Sequence, residues 1–125
     1  MSRSIVTFLN APDSIDNVLE QLEEVVNIRF VKNSQVNSML FEARTMGLFI
    51  SLYPNGGYID EPDMKFSDYN VVIDVGAVLS PIPPDVRIEW ALAFSKTLVC
   101  LLADCVTGYM ITDDLQSVCE FRPNS

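Results

Sequence analysis

The sequence predicts an α+β fold: a two-layer domain in which a mostly antiparallel sheet carries two helices on one face. Three observations lead there. The 125 residues are the length of one domain and too few for two ordinary ones, so 1–125 reads as a single α+β domain. Apolar residues make up 49% of the chain and charged ones 20%, enough to bury a core without disulfides or metal. Strand-like runs also follow one another without intervening helices, whereas a doubly wound parallel sheet needs about one helix per strand.

The elements follow in order. Residues 4–10 (SIVTFLN) are β-branched and aromatic, a strand. Pro12, Asp13 and Ser14 interrupt it. Asp13 or Ser14 can cap a helix, because a side-chain oxygen accepts the free N–H groups of a first turn. Ile15, Val18, Leu19, Leu22, Val25 and Val26 then recur at helical spacing as one apolar stripe, with Asp16, Glu20, Glu23 and Glu24 outside it. Residues 28–33 (IRFVKN) return to strand, and 33–37 is turn-like. Residues 39–45 (MLFEART) and 47–53 (GLFISLY) make two more strands. In the second, Leu48, Ile50 and Leu52 share one face and Phe49, Ser51 and Tyr53 the other. Phe49 and Tyr53 stand on a solvated face or lie beneath a helix or a long connection.

Residues 70–79 (NVVIDVGAVL) are a strand with Val71, Ile73 and Val75 on one face. Ser80-Pro81-Ile82-Pro83-Pro84 leads rigidly into a second helix over 85–103, Pro84 falling in the first turn where its missing N–H costs nothing. Its apolar arc, which includes Ile88, Trp90, Leu92, Phe94, Leu98 and Leu102, is wide enough to set it deep against the sheet. Asp104 ends it. Residues 105–112 (CVTGYMIT) and 117–122 (SVCEFR) form a closing hairpin around 113–116, where Asp113 and Asp114 are turn formers.

Composition excludes more than it names. Seventeen acids face eight bases, a net charge of −9, and there is no histidine. The bases Arg3, Arg29, Lys32, Arg44, Lys65, Arg87, Lys96 and Arg122 are scattered, which argues against nucleic acid and anionic membranes as partners. Without imidazole, Ser-His-Asp and Cys-His catalysis and histidine-bound zinc are excluded, and acid–base work would fall to carboxylates, Lys or Tyr. Cys100, Cys105 and Cys119 are odd in number and form no CxxC pair, so they read as buried thiols in a reducing compartment. No apolar run reaches the roughly 20 residues of a membrane span, and the N-terminal one is too short for a signal segment. A soluble cytoplasmic protein without cofactors is expected.

The residues with most to say are 54–69 (PNGGYIDEPDMKFSDY). Pro54-Asn55-Gly56-Gly57 is turn chemistry, and a connection this long is uncommon in a small domain. Asp60, Glu61, Asp63 and Asp68 stand against Lys65 alone, interleaved with Tyr58, Phe66 and Tyr69. The spacing fails the EF-hand pattern, so a calcium site is disfavoured. Two readings stay open, a solvated connection and a surface for a basic protein, in which carboxylates steer encounter and tyrosines anchor it. Asp74 is the one acid in an apolar run, on the face opposite Ile73 and Val75, where solvent exposure is expected. With 17 carboxylates some pair always exists, so a glycosidase-like pairing carries no weight.

The second helix and hairpin, EWALAFSKTLVCLLADCVTGYMITDD, together with GYIDEPDMKFSDY and the helix-on-sheet order, resemble the immunity proteins of bacterial polymorphic-toxin and contact-dependent inhibition systems. The likeness is one of overall plan. It implies a protein that neutralises a cognate toxin, often a basic nuclease, by covering its cationic surface. The charge balance points the same way, with Tyr58, Asp60, Glu61, Asp63, Asp68 and Tyr69 as the expected binding residues. A secretion chaperone is the alternative, disfavoured because such chaperones usually begin with a helix. A small carboxylate-based enzyme is the third reading.

Overall fold

The structure, a computed structural model, describes residues 4–32, 40–55, 69–77, 82–113 and 116–121. Its elements are β1 (Ser4–Asn10), α1 (Ile15–Gln21) continued by a π-turn (Leu22–Val26), β2 (Val31–Lys32), β3 (Phe41–Thr45), β4 (Leu48–Pro54), β5 (Val71–Ala77), α2 (Pro84–Leu101), β6 (Gly108–Asp113) and β7 (Gln116–Phe121). The strands form one sheet in the order β2-β3-β4-β5-β1-β6-β7, and every pairing is antiparallel. A four-strand meander thus joins the central β1 through β5, and the β6–β7 hairpin flanks β1 on its other side. This is the expected two-layer α+β fold, with the elements in the expected order.

Alternation sorts the sheet into two faces. Ile5, Leu9, Leu48, Ile50, Leu52, Ile73, Val75 and Ile111 point one way. They form a single core with Ile15, Val18 and Leu22 of the first helical segment and Ala91, Leu98, Val99 and Leu102 at the second. Both helices therefore cover the same face. Leu48, Ile50 and Leu52 are fully buried, each contributing about 1.5–3 kcal/mol of transfer free energy. Ser14 caps α1, its Oγ accepting from the Asn17 amide at 3.3 Å.

The opposite face carries a smaller core. Phe8, Val72 and Met110 are fully buried there with Tyr69, and Val6 and Tyr53 pack on them. Phe49 and Tyr53 lie on this second face, away from the helices, and both are half-buried. Tyr53 joins the small core, while the Arg44 guanidinium lies over the Phe49 ring at 4.9 Å from its cross-strand position.

Several boundaries differ from the sequence reading. The apolar stripe of 15–26 is not one α-helix. It passes into the π-turn at Leu22 and stops at Asn27, which adopts the left-handed conformation with φ 61°, one that Asn tolerates. The strand expected over 28–33 shrinks to Val31–Lys32. Glu23 Oε2 accepts the Phe30 amide at 3.0 Å, so that N–H is not available to a neighbouring strand. Ile28 and Phe30 still alternate inward with Arg29 outward, as core plugs rather than ladder residues.

The second helix ends at Leu101, and β6 starts only at Gly108. Between them the Cys105 and Val106 amides still donate to Leu102 O at 3.0 and 3.1 Å. It buries Ala91, Ser95, Leu98 and Val99 and leaves Trp90, Leu92 and Phe94 half-buried, so it rests on the sheet and is not engulfed. The expected turn at 33–37, Ser80-Pro81, Asp114 and Arg122 lie outside the described residues.

Candidate functional site

Of the six binding residues expected from sequence, Tyr58, Asp60, Glu61, Asp63 and Asp68 lie outside the described residues. The two ends of their segment are described, and they are tied together. The Asn55 amide donates to Asn70 O at 3.0 Å, and Asn55 Nδ2 donates to Tyr69 O at 2.8 Å. Asn70 in turn grips the end of β1. Its Nδ2 donates to Ala11 O and its Oδ1 accepts from the Ala11 amide, both at 2.8 Å, while its own amide donates to Leu9 O at 3.0 Å. A neutral carboxamide here does what a neighbouring peptide group would do, closing a ladder where Pro12 forbids further pairing.

Tyr69 is the one expected binding residue among the described residues. It is 4% exposed, and its ring lies 6.4 Å from that of Phe8 at an interplanar angle of 50°, an aromatic pairing geometry. Its aromatic face belongs to the small core, so it holds the segment's root and does not present a ring to a partner.

Two described acids meet at this end of the sheet. Asp13 and Asp104 both act on Cys105, whose pKa is raised by burial first and then by these two carboxylates. Two exposed acids far apart in sequence thus flank one thiol, beside the Ala11 peptide that Asn70 holds. Asp16, also exposed, stands in the first turn of α1. Away from this end, past the last turn of the first helical segment, a shallow depression of about 330 Å³ is lined by Glu20, Glu23, Glu24, Asn27, Ile28 and Arg29. Asp13 and Asp104 were not among the residues expected to bind. In the sequence they read as a cap and a helix stop, and only the chain's return along β1 and α2 brings them together.

Asp74 is the most perturbed described carboxylate. It is half-buried on the small-core face, opposite Val6 and Ser51 in the ladder. Burial raises its pKa, and a hydrogen bond from the Ser4 side chain offsets part of that rise. It is therefore less solvated than its place in the alternation implied. Among the described residues no group of three or more Cys, Asp or Glu could hold a metal ion, and no described helix is long and apolar enough to cross a membrane. Comparison with protein-family models, with curated proteins and with solved structures found no match.

Proposed function

We propose that this chain is a non-enzymatic, acidic binding protein that neutralises a cognate basic toxin by covering its cationic surface, in the manner of bacterial immunity proteins. The observation that carries the reading is the convergence of acids at one end of the sheet. Asp13 and Asp104 flank Cys105, and the residues leading into and out of the Asp60–Asp68 segment are bonded to each other and to Ala11 beside them. Residues 58–69 carry four acids and one base, net −3 of the chain's −9. Such a patch raises the encounter rate with a cationic protein and fixes its orientation. Tyr58, Asp60, Glu61, Asp63 and Asp68 are the proposed contact residues, with Asp13 and Asp104 extending the rim and Tyr69 anchoring from below.

The test is co-expression with the product of the neighbouring gene, followed by purification of the complex. A folded, basic toxic domain is the expected partner, with association slowing steeply as salt is raised. Reversing Asp60, Glu61, Asp63 and Asp68 to Lys should abolish capture, and Asp13→Lys with Asp104→Lys should weaken it. Unchanged binding by the fourfold variant refutes the surface. An obligate dimer holding an unfolded peptide would favour a secretion chaperone instead.

A further inference from the structure

The outer side of α2 is not the polar face that a helix lying on a sheet ordinarily shows to water. Its buried residues, Ala91, Ser95, Leu98 and Val99, rest on the core. On the other side Val86, Ala93 and Cys100 are all exposed. They recur every seven residues and so form one crest along the helix. Among the described residues, five large apolar side chains are exposed. Val86 at 46% and Leu101 at 38% stand on this helix, and Met46 is joined to it, its carbonyl accepting from Trp90 Nε1 at 3.2 Å. Apolar side chains gathered on one outer face mark a surface that meets another protein.

Charge decides what it meets. Between Val86 and Leu101 stand two bases, Arg87 and Lys96, and one acid, Glu89, in a chain whose net charge is −9. Two copies of this protein repel each other over most of their surface, and least here. The pattern is also self-complementary. Glu89 and Lys96 lie on one flank of the crest, Trp90 and Thr97 on the other. When two antiparallel copies of α2 cross at Ala93, the two-fold axis sets each flank against the same flank of the second copy. Along the helix axis, Glu89 lies about 6 Å before Ala93 and Lys96 about 4.5 Å after it. Glu89 of one copy therefore stands level with Lys96 of the other, twice. Val86 and Cys100, seven residues either side of Ala93, are level in the same way, and Trp90 meets Thr97. The Thr97 hydroxyl already donates to Ala93 O at 2.9 Å, so it brings no unpaired donor to that contact. The small side chain of Ala93 at the crossing lets the helices approach closely.

We infer that the outer face of α2 binds a second copy of this chain, as an antiparallel helix pair centred on Ala93. The apolar crest supplies the attraction, and the two Glu89–Lys96 pairs fix the direction and register. One helix pair is a small interface, under roughly 1,200 Å², so the association is weak and reversible. The inference does not rest on toxin binding, and a pair formed without an unfolded peptide differs from a secretion chaperone.

The test is sedimentation equilibrium of the purified chain from about 5 to 500 µM. The mass should rise with concentration from 14.0 kDa toward twice that value. Glu89→Lys and Lys96→Glu each replace two attractive contacts by two like-charge ones, and each should weaken association roughly tenfold or more. Both positions are exposed, so the circular dichroism spectrum should not change. Mixed in equal amounts, the two single variants should associate as the parent does, because one presents two lysines to the two glutamates of the other. The double variant Glu89→Lys/Lys96→Glu should recover association by itself. The inference is overturned if the parent stays at 14.0 kDa throughout, if either single reversal associates as the parent does, or if the mixture or the double variant fails to recover. A monomeric parent that loses its toxin on Lys96→Glu would assign this face to the toxin instead.

Discussion

Substituting Asn70 by Ala tests whether the carboxamide clamp holds the root of the acidic segment. The substitution removes two side-chain hydrogen bonds of 2.8 Å, both to Ala11. A net bond contributes about 0.5–1.5 kcal/mol, and a buried donor left unsatisfied costs about 1–3 kcal/mol. Ala11 is 1% exposed, so its amide cannot simply turn to water. Asn70 itself stands at the surface, so water reaches part of the vacated site and the low half of the range applies. The expected loss is about 2–3 kcal/mol, or a fall in Tm of roughly 8–12 °C for a chain of this size. Urea unfolding at neutral pH measures the loss, and hydrogen exchange locates it. The Ala11 amide should lose protection, while amides at the centre of β1, such as that of Thr7, should lose no more than the global change allows. A loss below about 0.5 kcal/mol with Ala11 still protected would show that the clamp is incidental and that the small core alone holds this corner.

Four further outcomes are expected. Thr7 is 2% exposed and its Oγ1 has no partner, so Thr7→Val should stabilise by about 1 kcal/mol in urea melts, as an unsatisfied hydroxyl is removed. Met46, 72% exposed, has φ 51°, so Met46→Asn should stabilise by about 0.5–1 kcal/mol in urea melts by relieving left-handed strain. Asp74 has a raised folded-state pKa; its contribution is fully present below the unfolded-state pKa and is lost as pH rises through the folded one. Asp74→Asn, which still accepts from Ser4, should therefore be more stable than the parent at pH 7, and a pH series of melts should show the difference vanish in acid. Cys100 is exposed, whereas Cys105 is buried, donates to Leu102 O and has a raised pKa. A thiol reagent at pH 7.5 should modify Cys100 in the native protein and reach Cys105 only on unfolding, as peptide mapping would show.

The parts of this fold legible in the sequence are those set by local periodicity. Leu48, Ile50 and Leu52 announce both the strand and its buried face, because a period of two leaves no other way to hide three aliphatic side chains. Ser14 announces a helix start because few residues satisfy a first turn. The misread parts are set by long-range hydrogen bonds. Nothing in residues 28–33 says that Glu23 will take the Phe30 amide, so an alternating run looked like a longer strand than it is. The Asn70–Ala11 clamp joins residues 59 apart, and a single sequence gives no sign of it. The same holds at the site. The acidic composition of 58–69 was plain, but whether Tyr69 faced a partner or a core depended on Phe8 lying across the sheet. Asp13 and Asp104 gave no signal because each had a sufficient local explanation.

The clamp also bears on why amides and not acids hold the acidic end. Asp at position 70 could still accept the Ala11 amide but could not donate to its carbonyl, and it would add a negative charge at a corner that already holds Asp13. Asn supplies donor and acceptor with no charge, so the root of the segment is held without adding to the repulsion that a cluster of carboxylates creates among themselves. The far end of the sheet is mixed in sign: Arg44, over Phe49, and Arg87 stand there with Asp85, Glu89 and Asp113. Under the proposed function, Asp13, Asp104 and the acids of residues 58–69 would give the molecule a charge asymmetry along the strands as well as a net charge. Net charge alone accelerates encounter with a basic partner from every direction; an asymmetric distribution also turns the acidic end toward it before contact. A partner held by net charge alone would be indifferent to moving acids from one end to the other, whereas an oriented one would bind more slowly. The proposed function requires the second behaviour, because an inhibitor that neutralises by coverage must arrive with the correct end forward.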